Sequence, residues 1–276
     1  MFNALSVDLE DWYHPELLKT KERQRPQIKE SVAPILNLLD KYNTKATFFV
    51  LGNVAENNPN LIKKIKAQGH EIASHGYNHK SLKQITAEEF EKDIMKSKNI
   101  LKKITGEYPI GYRAPTFSID NNTKWAIDIL EKQGFLYDSS IFPTKTHLYG
   151  VPDAPLNPYY PSRDDISRER RDKKGIIEFP MTVLPLKFYN LPTSGGFYLR
   201  LLPNQIIKAG IKNRNKKGFP AMLYIHPWET YSKTPRIRHG LISDFINYHG
   251  IDYALDKLES LLTSFKFKPV KSILFD

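Results

Sequence analysis

The chain has 276 residues, and its 41 lysines and arginines outnumber its 30 aspartates and glutamates, which gives a formal net charge of +11. Hydrophobic residues make up 40% of the chain and charged residues 26%. This is a globular balance, and it excludes an intrinsically disordered protein. The sequence has no cysteine, which excludes disulfides, zinc–thiolate sites and a cysteine nucleophile. Any metal ion must therefore be held by histidine and carboxylate side chains.

Short apolar runs alternate with amphipathic helical stretches, a pattern typical of an α/β protein. The pattern predicts strands at 4–9, 46–51, 70–75, 111–117, 137–142, 176–179, 221–226 and 267–274. Apolar residues at helical spacing predict helices near 32–42, 61–68, 87–105, 125–130 and 254–265. The segment 143–175 shows no periodicity, so we expect one barrel-like (β/α) domain that carries an irregular insertion there.

Polar side chains follow four of the predicted strands. Asp8, Glu10 and Asp11 follow the first strand, and His75 and His79 follow the strand at 70–75. The other two strands supply Arg113 and His226. Because the carboxyl ends of barrel strands meet at one face, these residues predict a single site.

His75 and His79 are four residues apart, a spacing that lets two imidazoles on a helical turn face one point. A carboxylate from another strand end would complete a site of two histidines and one carboxylate, with open positions for water and substrate.

Five segments carry a family resemblance. SVDLEDWYH is followed, in order, by ATFFVLGNVAENNP, GHEIASHGYNH, GYRAP and LYIHP. Together they resemble the polysaccharide deacetylase family (the NodB homology domain, a carbohydrate esterase type) over about residues 5–228. SGGFYLRLLP at 194–203 and TPRIRH at 234–239 are most similar to a branch associated with bacterial exopolysaccharide operons. The resemblance implies a NodB-like, distorted (β/α) barrel of seven-stranded type in one domain over 1–276, with a core of about 4–228 and a C-terminal extension at 229–276.

The resemblance also implies a metal-dependent hydrolase that removes N-acetyl groups from N-acetylhexosamine units of a polysaccharide or of a lipid- or nucleotide-linked precursor. Asp8 matches the general base, and Arg113 matches the arginine that pairs with it. The backbone N–H of Thr116 matches an oxyanion donor, and His226 matches the acid that protonates the departing amine. Asp138, in YDSSI, resembles an acid that tunes His226.

The metal implied by the resemblance is zinc, with cobalt or nickel able to replace it, and its ligands match His75 and His79. The family's first motif has two adjacent aspartates, whereas here Asp8 is followed by leucine. Strand alternation places Asp8 and Glu10 on one side and favours Glu10 as the carboxylate ligand. A tight turn after the leucine would instead favour Asp11, so both acids remain candidates.

Two rival functions stay open at this stage: an amidohydrolase acting on a non-sugar amide, and a catalytically inert glycan-binding barrel. Nucleic-acid binding is not expected, because the positive charge comes with no recognition motif. The first 14 residues lack a basic segment and no apolar run reaches about 20 residues, so we expect a cytoplasmic chain. The basic stretch at 208–217 predicts peripheral association with the inner face of an anionic membrane.

Overall fold

The computed structural model describes residues 1–15, 18, 24–146, 148–238 and 240–276. These residues form two compact units. One, here called the terminal unit, comprises Met1–Phe48, Gly69–Glu71 and Thr193–Asp276. The other, the central unit, comprises Phe49–Gln68 and Ile72–Pro192.

The strands, in chain order, are β1 (Phe2–Leu9), β2 (Thr47–Val50), β3 (Glu71–Ser74), β4 (Gly111–Tyr112), β5 (Tyr137–Asp138), β6 (Ile177–Glu178), β7 (Val183–Pro185), β8 (Asn190–Pro192), β9 (Met222–Ile225) and β10 (Lys266–Lys268). The α-helices are α1 (Ile28–Lys41), α2 (Gly52–Asn57), α3 (Pro59–Ala67), α4 (Ala87–Thr105), α5 (Trp125–Lys132), α6 (Gly196–Leu201), α7 (Asn204–Lys216), α8 (Leu241–Tyr248), α9 (Ile251–Ser264) and α10 (Val270–Leu274). Among the described residues, short 3₁₀ turns lie at Leu82–Gln84, Pro115–Phe117 and Pro227–Thr230.

In the terminal unit, β1 pairs in parallel with both β9 and β10. Every residue of β1 after the first is buried, as expected for a parallel strand covered on both faces. Helix α9 turns one apolar face inward, as its helical spacing predicts. The buried residues of that face are Ile251, Ala254, Leu258, Leu261 and Leu262.

In the central unit, β3, β4, β5 and β6 pair in parallel, and β7 and β8 form an antiparallel hairpin. Helix α4 begins with a capping box, in which Thr86 Oγ1 accepts the N–H of Glu89 and Glu89 Oε2 accepts the N–H of Thr86. The helix ends at Gly106, which has a left-handed φ of 83°. Both ends of this helix confirm the sequence prediction.

The strand predicted at 267–274 is wrong beyond Lys268. Pro269 interrupts it, because proline has no N–H to donate to a ladder and its φ suits the start of a helix. The first amides of α10 then find acceptors within the terminal unit. Val270 N–H donates to Thr47 Oγ1 at 2.8 Å, and Lys271 N–H donates to Glu71 Oε2 at 3.1 Å.

The strands predicted at 111–117 and 137–142 are shorter than expected. β4 ends at Tyr112, and the chain enters a 3₁₀ turn in which Thr116 has a φ of 56°. β5 ends at Asp138, after which Ser140 Oγ accepts the N–H of Ala114 at 2.7 Å. The backbone ladder continues for one more residue of each strand, at Arg113 and Ser139, and the Ser140 side chain then links the two segments.

His70 is a buried histidine that predicts a pH-dependent stability. Its Nδ1 accepts the N–H of Ala46 at 3.2 Å, so the neutral ring carries its proton on Nε2. Burial, with a smaller contribution from Lys45, lowers the pKa of His70 to about 4. The unfolded chain, whose histidine pKa is about 6.5, therefore binds this proton first as the pH falls. The stability that His70 contributes is complete above about pH 6.5 and is lost progressively down to about pH 4.

We expect the replacement His70→Asn, which keeps an acceptor for Ala46 N–H but does not titrate, to reduce this acid sensitivity. Between pH 7 and pH 4.5, the free energy of unfolding should fall by about 2 kcal/mol less in the variant than in the unmodified chain. Urea unfolding at a series of pH values measures the difference. Parallel curves for the two proteins would contradict the assignment.

Candidate functional site

The carboxyl ends of β1 and β9 bring Asp8, Glu10 and His226 together in the terminal unit. Val7 and Ile225 are register partners in the parallel pair, so the residues that follow them leave the sheet at the same level. His226 Nε2 lies 3.8 Å from Asp8 Oδ2 and 3.4 Å from Glu10 Oε1. Both carboxylates are buried and the imidazole is partly buried. One ring therefore faces both acids, as the prediction of a shared strand-end site requires.

Asp11 hydrogen-bonds to the backbone near the start of α1. Its carboxylate accepts the backbone N–H groups of Trp12, Gln27 and Ile28, at distances of 2.9 to 3.1 Å. Gln27 and Ile28 stand at the start of α1, so Asp11 satisfies amides that a helix leaves without internal partners. Burial outweighs these hydrogen bonds and raises the pKa of Asp11 to about 6. The carboxylate oxygens of Asp11 thus have a structural role, as acceptors of backbone hydrogen bonds.

The second ring nitrogen of His226 is held by Glu229. His226 Nδ1 lies 2.5 Å from Glu229 Oε2, which also accepts the backbone N–H of His226 at 3.3 Å. Burial alone would lower the pKa of His226, but the carboxylates of Glu229, Glu10 and Asp8 outweigh it and raise that pKa to about 9. The arrangement fixes the ring with Nε2 directed at the acids.

Glu229 is in turn held by Arg200, which lies on α6. Arg200 Nε and Nη2 donate to Glu229 Oε1 at 3.2 and 2.9 Å, and both side chains are almost fully buried. Arg200 also donates to the backbone oxygens of Ile246 and His249, at 2.8 and 2.7 Å. A buried arginine with its donors satisfied in this way holds the carboxylate rigidly.

The sequence reasoning missed both Glu229 and Arg200. The available signals were an acid three residues after His226, the spacing of a capping box, and an arginine inside the motif SGGFYLRLLP. The resemblance implies that Asp138 tunes His226. In the structure, the acid bound to Nδ1 of His226 is Glu229.

In the central unit, His75 and His79 lie with their ring centroids 5.3 Å apart, and both are buried. The chain between them is a loop and not the helical turn that a spacing of four residues would also allow. β3 ends at Ser74, Gly76 has a φ of 75°, and His79 itself has a φ of 53°. Left-handed backbone at a non-glycine residue costs on the order of 1 kcal/mol or more and is concentrated at functional sites. A strained loop, rather than a helix, thus presents the two imidazoles.

The tautomer of His75 is set by the backbone. His75 Nδ1 lies 2.7 Å from the carbonyl oxygen of Arg113, and since a carbonyl only accepts, Nδ1 carries the proton. Nε2 is then the nitrogen with a lone pair. Metal-binding histidines are oriented by the same kind of bond.

Each of three buried side chains offers one possible ligand atom: the carboxylate of Glu10 in the terminal unit, and the imidazoles of His75 and His79 in the central unit. Two imidazoles and one carboxylate, all buried, form a donor set that suits zinc and related divalent metals. The chemistry of these side chains therefore fits the predicted metal.

Arg113 is the largest fully buried side chain of the described residues. Its Nε and Nη2 donate to the backbone oxygen and to Oγ of Ser139, both at 2.9 Å, and its guanidinium stacks 4.1 Å from the centroid of the Phe49 ring. The predicted pairing of Arg113 with Asp8 stays a prediction.

Thr116 and Phe117 both have left-handed φ values, 56° and 48°. The backbone at this turn is strained, in keeping with a functional loop. The role of the Thr116 N–H as an oxyanion donor also stays a prediction.

Asp138 pairs across the sheet with Glu178, and both are fully buried. Asp138 Oδ1 accepts the hydroxyl of Ser140 at 2.5 Å, and Glu178 Oε1 accepts the N–H of Ile141 at 2.9 Å. Burial raises the pKa of Asp138 to about 6, and burial together with Asp138 raises the pKa of Glu178 well above its usual range. The two acids therefore titrate as a coupled pair, and their hydrogen bonds to Ser140 and Ile141 hold the chain that follows β5.

The basic stretch 208–217 lies mainly on α7. Lys212, Lys216 and Lys217 are exposed, but Arg214 is buried, so the stretch presents less charge than its sequence suggests. The apolar side of α7, at Ile207 and Ile211, faces inward. Within the part of the chain that the structure describes, no helix has the length and apolar character needed to cross a membrane.

Two family models match the sequence of this chain. The family model described as polysaccharide deacetylase matches residues 19–136, and a domain of unknown function (DUF3473) matches residues 139–275. The peptidoglycan-N-acetylglucosamine deacetylase of Bacillus cereus is 39% identical over 100 residues, which are 36% of this chain and 36% of that protein. The peptidoglycan deacetylase of Helicobacter pylori is 31% identical over 180 residues, which are 62% of this chain and 57% of that protein. The chain thus spans between about a third and just over half of the length of these relatives.

A crystal structure from Mycobacterium smegmatis, assigned there to the polysaccharide deacetylases, superposes with a TM-score of 0.62 at 22% identity and covers 98% of this chain and 87% of that one. This likeness confirms the predicted fold class, an α/β distorted barrel.

Proposed function

We propose that the chain is a carbohydrate N-deacetylase of the polysaccharide deacetylase family, whose model matches residues 19–136. Its reaction is the hydrolysis of the N-acetyl amide on N-acetylhexosamine units of a polysaccharide or of a lipid- or nucleotide-linked precursor. The observations that carry this proposal are the two adjacent buried imidazoles of His75 and His79 in the central unit, and the buried Glu10 of the terminal unit, whose Oε1 lies 3.4 Å from His226 Nε2. The named relatives act on peptidoglycan, which supports an N-acetylated glycan as the substrate.

In this proposal His75 and His79 hold the metal through their imidazoles and Glu10 holds it through its carboxylate. The hydrogen bonds that Asp11 accepts from the start of α1 favour Glu10 over Asp11. A zinc ion there, or cobalt or nickel in its place, supplies Lewis acidity, which polarises an amide carbonyl and acidifies water.

Asp8 and His226 divide the proton transfers. Asp8, buried at the end of β1, takes a proton from the attacking water. His226 delivers a proton to the nitrogen of the departing amine, which leaves poorly until it is protonated. Glu229 fixes the His226 ring through Nδ1, so Nε2 is the atom that delivers the proton.

Arg113 and Thr116 complete the assignment. Arg113 keeps Asp8 ionised and oriented, and the rigid bonds of its guanidinium to Ser139 support this role. The N–H of Thr116, on the strained turn, stabilises the oxyanion of the tetrahedral intermediate.

The metal content of His75→Ala tests the proposal. Elemental analysis of untagged protein should find about one zinc, cobalt or nickel per chain in the unmodified enzyme and none in the variant, because one of three protein ligands is removed. His70→Asn, a buried histidine outside the donor set, is the matched control and should keep its metal.

Acetate release from N-acetylated glycans should require the metal-loaded protein. If the unmodified chain takes up no metal after incubation with zinc, cobalt or nickel, the hydrolase assignment fails. If it binds metal yet releases acetate only from non-sugar amides, the substrate assignment fails while the metal site stands.

A further inference from the structure

Helix α8, outside the proposed active site, presents large apolar side chains to solvent. Leu241 is 91% exposed, Ile242 is 80% exposed and Phe245 is 48% exposed. At 100° per residue these three positions fall within one arc of about 100° on the helix. Side chains of this size are rarely left together at such exposure unless the surface binds something.

Two arginines stand beside this face. Arg236 and Arg238 are exposed and precede α8 in the sequence. The residue between them, Ile237, is tied to the buried side of the helix, because Tyr248 Oη accepts its N–H at 2.8 Å and donates to its carbonyl oxygen at 3.1 Å. These bonds hold the backbone that carries the two arginines next to α8.

An open groove of about 470 Å³ separates the arginines from the helix. Arg236 and Arg238 line one side, and Phe245 and His249 are among the residues on the other. Two acids limit the charge: Asp244 also lines the groove, and Asp252 lies 3.5 Å from Arg236. The groove nevertheless has arginines on one side and the exposed apolar face of α8 on the other. This combination suits a ligand that carries both a phosphate group and a hydrocarbon chain.

We propose that Arg236, Arg238, Leu241, Ile242 and Phe245, here called the α8 patch, dock the protein on an anionic phospholipid surface. The apolar side chains enter the boundary between headgroups and acyl chains, and the arginines contact headgroup phosphates. Charge complementarity selects lipid over a purely apolar partner. This surface differs from the predicted basic stretch at 208–217, where α7 buries its apolar side and offers lysines alone. The proposal does not depend on the deacetylase assignment.

Co-sedimentation of the full chain with vesicles tests the α8 patch. The unmodified protein should partition onto phosphatidylglycerol-containing vesicles and much less onto pure phosphatidylcholine. The double variant Leu241→Glu with Ile242→Glu should weaken that partitioning at least about 10-fold. Arg236→Gln with Arg238→Gln should weaken it by up to about 30-fold on anionic vesicles only, since each cation near such a surface contributes about 1 kcal/mol.

Two matched variants serve as controls, and neither should change partitioning by more than about 2-fold. Phe188→Glu alters an aromatic side chain that is 90% exposed in the central unit. The triple variant Lys212→Gln, Lys216→Gln and Lys217→Gln removes exposed cations from the basic stretch.

Absence of vesicle binding by the unmodified protein, or equal binding by the α8 variants, would overturn the proposal. So would a larger loss in the lysine variant than in the α8 variants. Concentration-dependent self-association in sedimentation velocity, abolished by the glutamate pair without any vesicle binding, would assign the patch to a second copy of the chain instead.

Discussion

Glu10→Gln is expected to abolish metal binding and to lower kcat/KM for acetate release on the order of 10³-fold or more. A neutral amide is a poor substitute for a carboxylate ligand, and the polarisation that a metal supplies is worth several kcal/mol, with about 1.4 kcal/mol for each tenfold in rate. Unfolding stability measured without metal should change little, because the role assigned to Glu10 is to bind the ion.

Asp11→Ala is the counterpart of this variant and should give the opposite pattern. It removes the acceptor of three backbone N–H groups and leaves buried donors at the start of α1 unsatisfied, at a cost of about 2 kcal/mol in unfolding free energy. Metal content and activity per folded molecule should remain near those of the unmodified protein. Elemental analysis measures the metal content of both variants, urea unfolding their stability and steady-state kinetics their activity. Loss of the metal in Asp11→Ala with retention in Glu10→Gln would reverse the ligand assignment.

Glu229→Gln is expected to lower kcat about 10²-fold while KM and metal content change little. The glutamine keeps the shape of the side chain but removes the charge that holds His226 as a proton donor. Arg200 is left buried without its anion, so the unfolding free energy should also fall, by about 3 kcal/mol. Kinetics well below the unfolding transition separate the two effects. An unchanged kcat in the folded variant would remove Glu229 from the proton-transfer machinery.

A backbone position gives an independent test of the same contact. A methyl group on Gly196 would stand 1.5 Å from Glu229 Oε2, so Gly196→Ala must displace that carboxylate. The variant should lose kcat as Glu229→Gln does. Gly210→Ala, whose methyl would lie 2.1 Å from Thr193 Oγ1, introduces a similar clash in the same unit. It should reduce stability without the loss of kcat.

Local patterns were sufficient to predict the elements that carry the site. Buried strands such as β1 and β9 read as continuous apolar runs, and a polar residue directly after each run marks its carboxyl end. The shared position of Asp8 and His226 follows from that alone. The capping box of α4 was equally readable, because both of its partners lie within four residues.

The missed features depend on residues that are distant in sequence. Arg200 meets Glu229 across 29 residues, and no local periodicity reports such a pair. The strand predicted at 267–274 is cut short by Pro269 and by a helix whose first amide bonds to Thr47, 223 residues earlier. The loop that presents His79 takes a left-handed backbone, which spacing of four residues cannot distinguish from a helical turn. The sequence likewise left both Glu10 and Asp11 as candidate metal ligands. What favours Glu10 is that Asp11 accepts hydrogen bonds from Gln27 and Ile28, which are distant in sequence.

The position of β1 has a consequence for how the chain acquires its structure during synthesis. β1 pairs on one side with β9 and on the other with β10, and Ser6 Oγ donates to Leu223 O across 217 residues. β1 thus waits for partners that are synthesised more than 200 residues later, while the whole central unit lies in the intervening 49–192. Loop closure over such a span is slow, so we expect the central unit to gain protection from proteolysis first on stalled nascent chains. During that interval an apolar strand is exposed, which makes residues 2–9 the natural target of a chaperone.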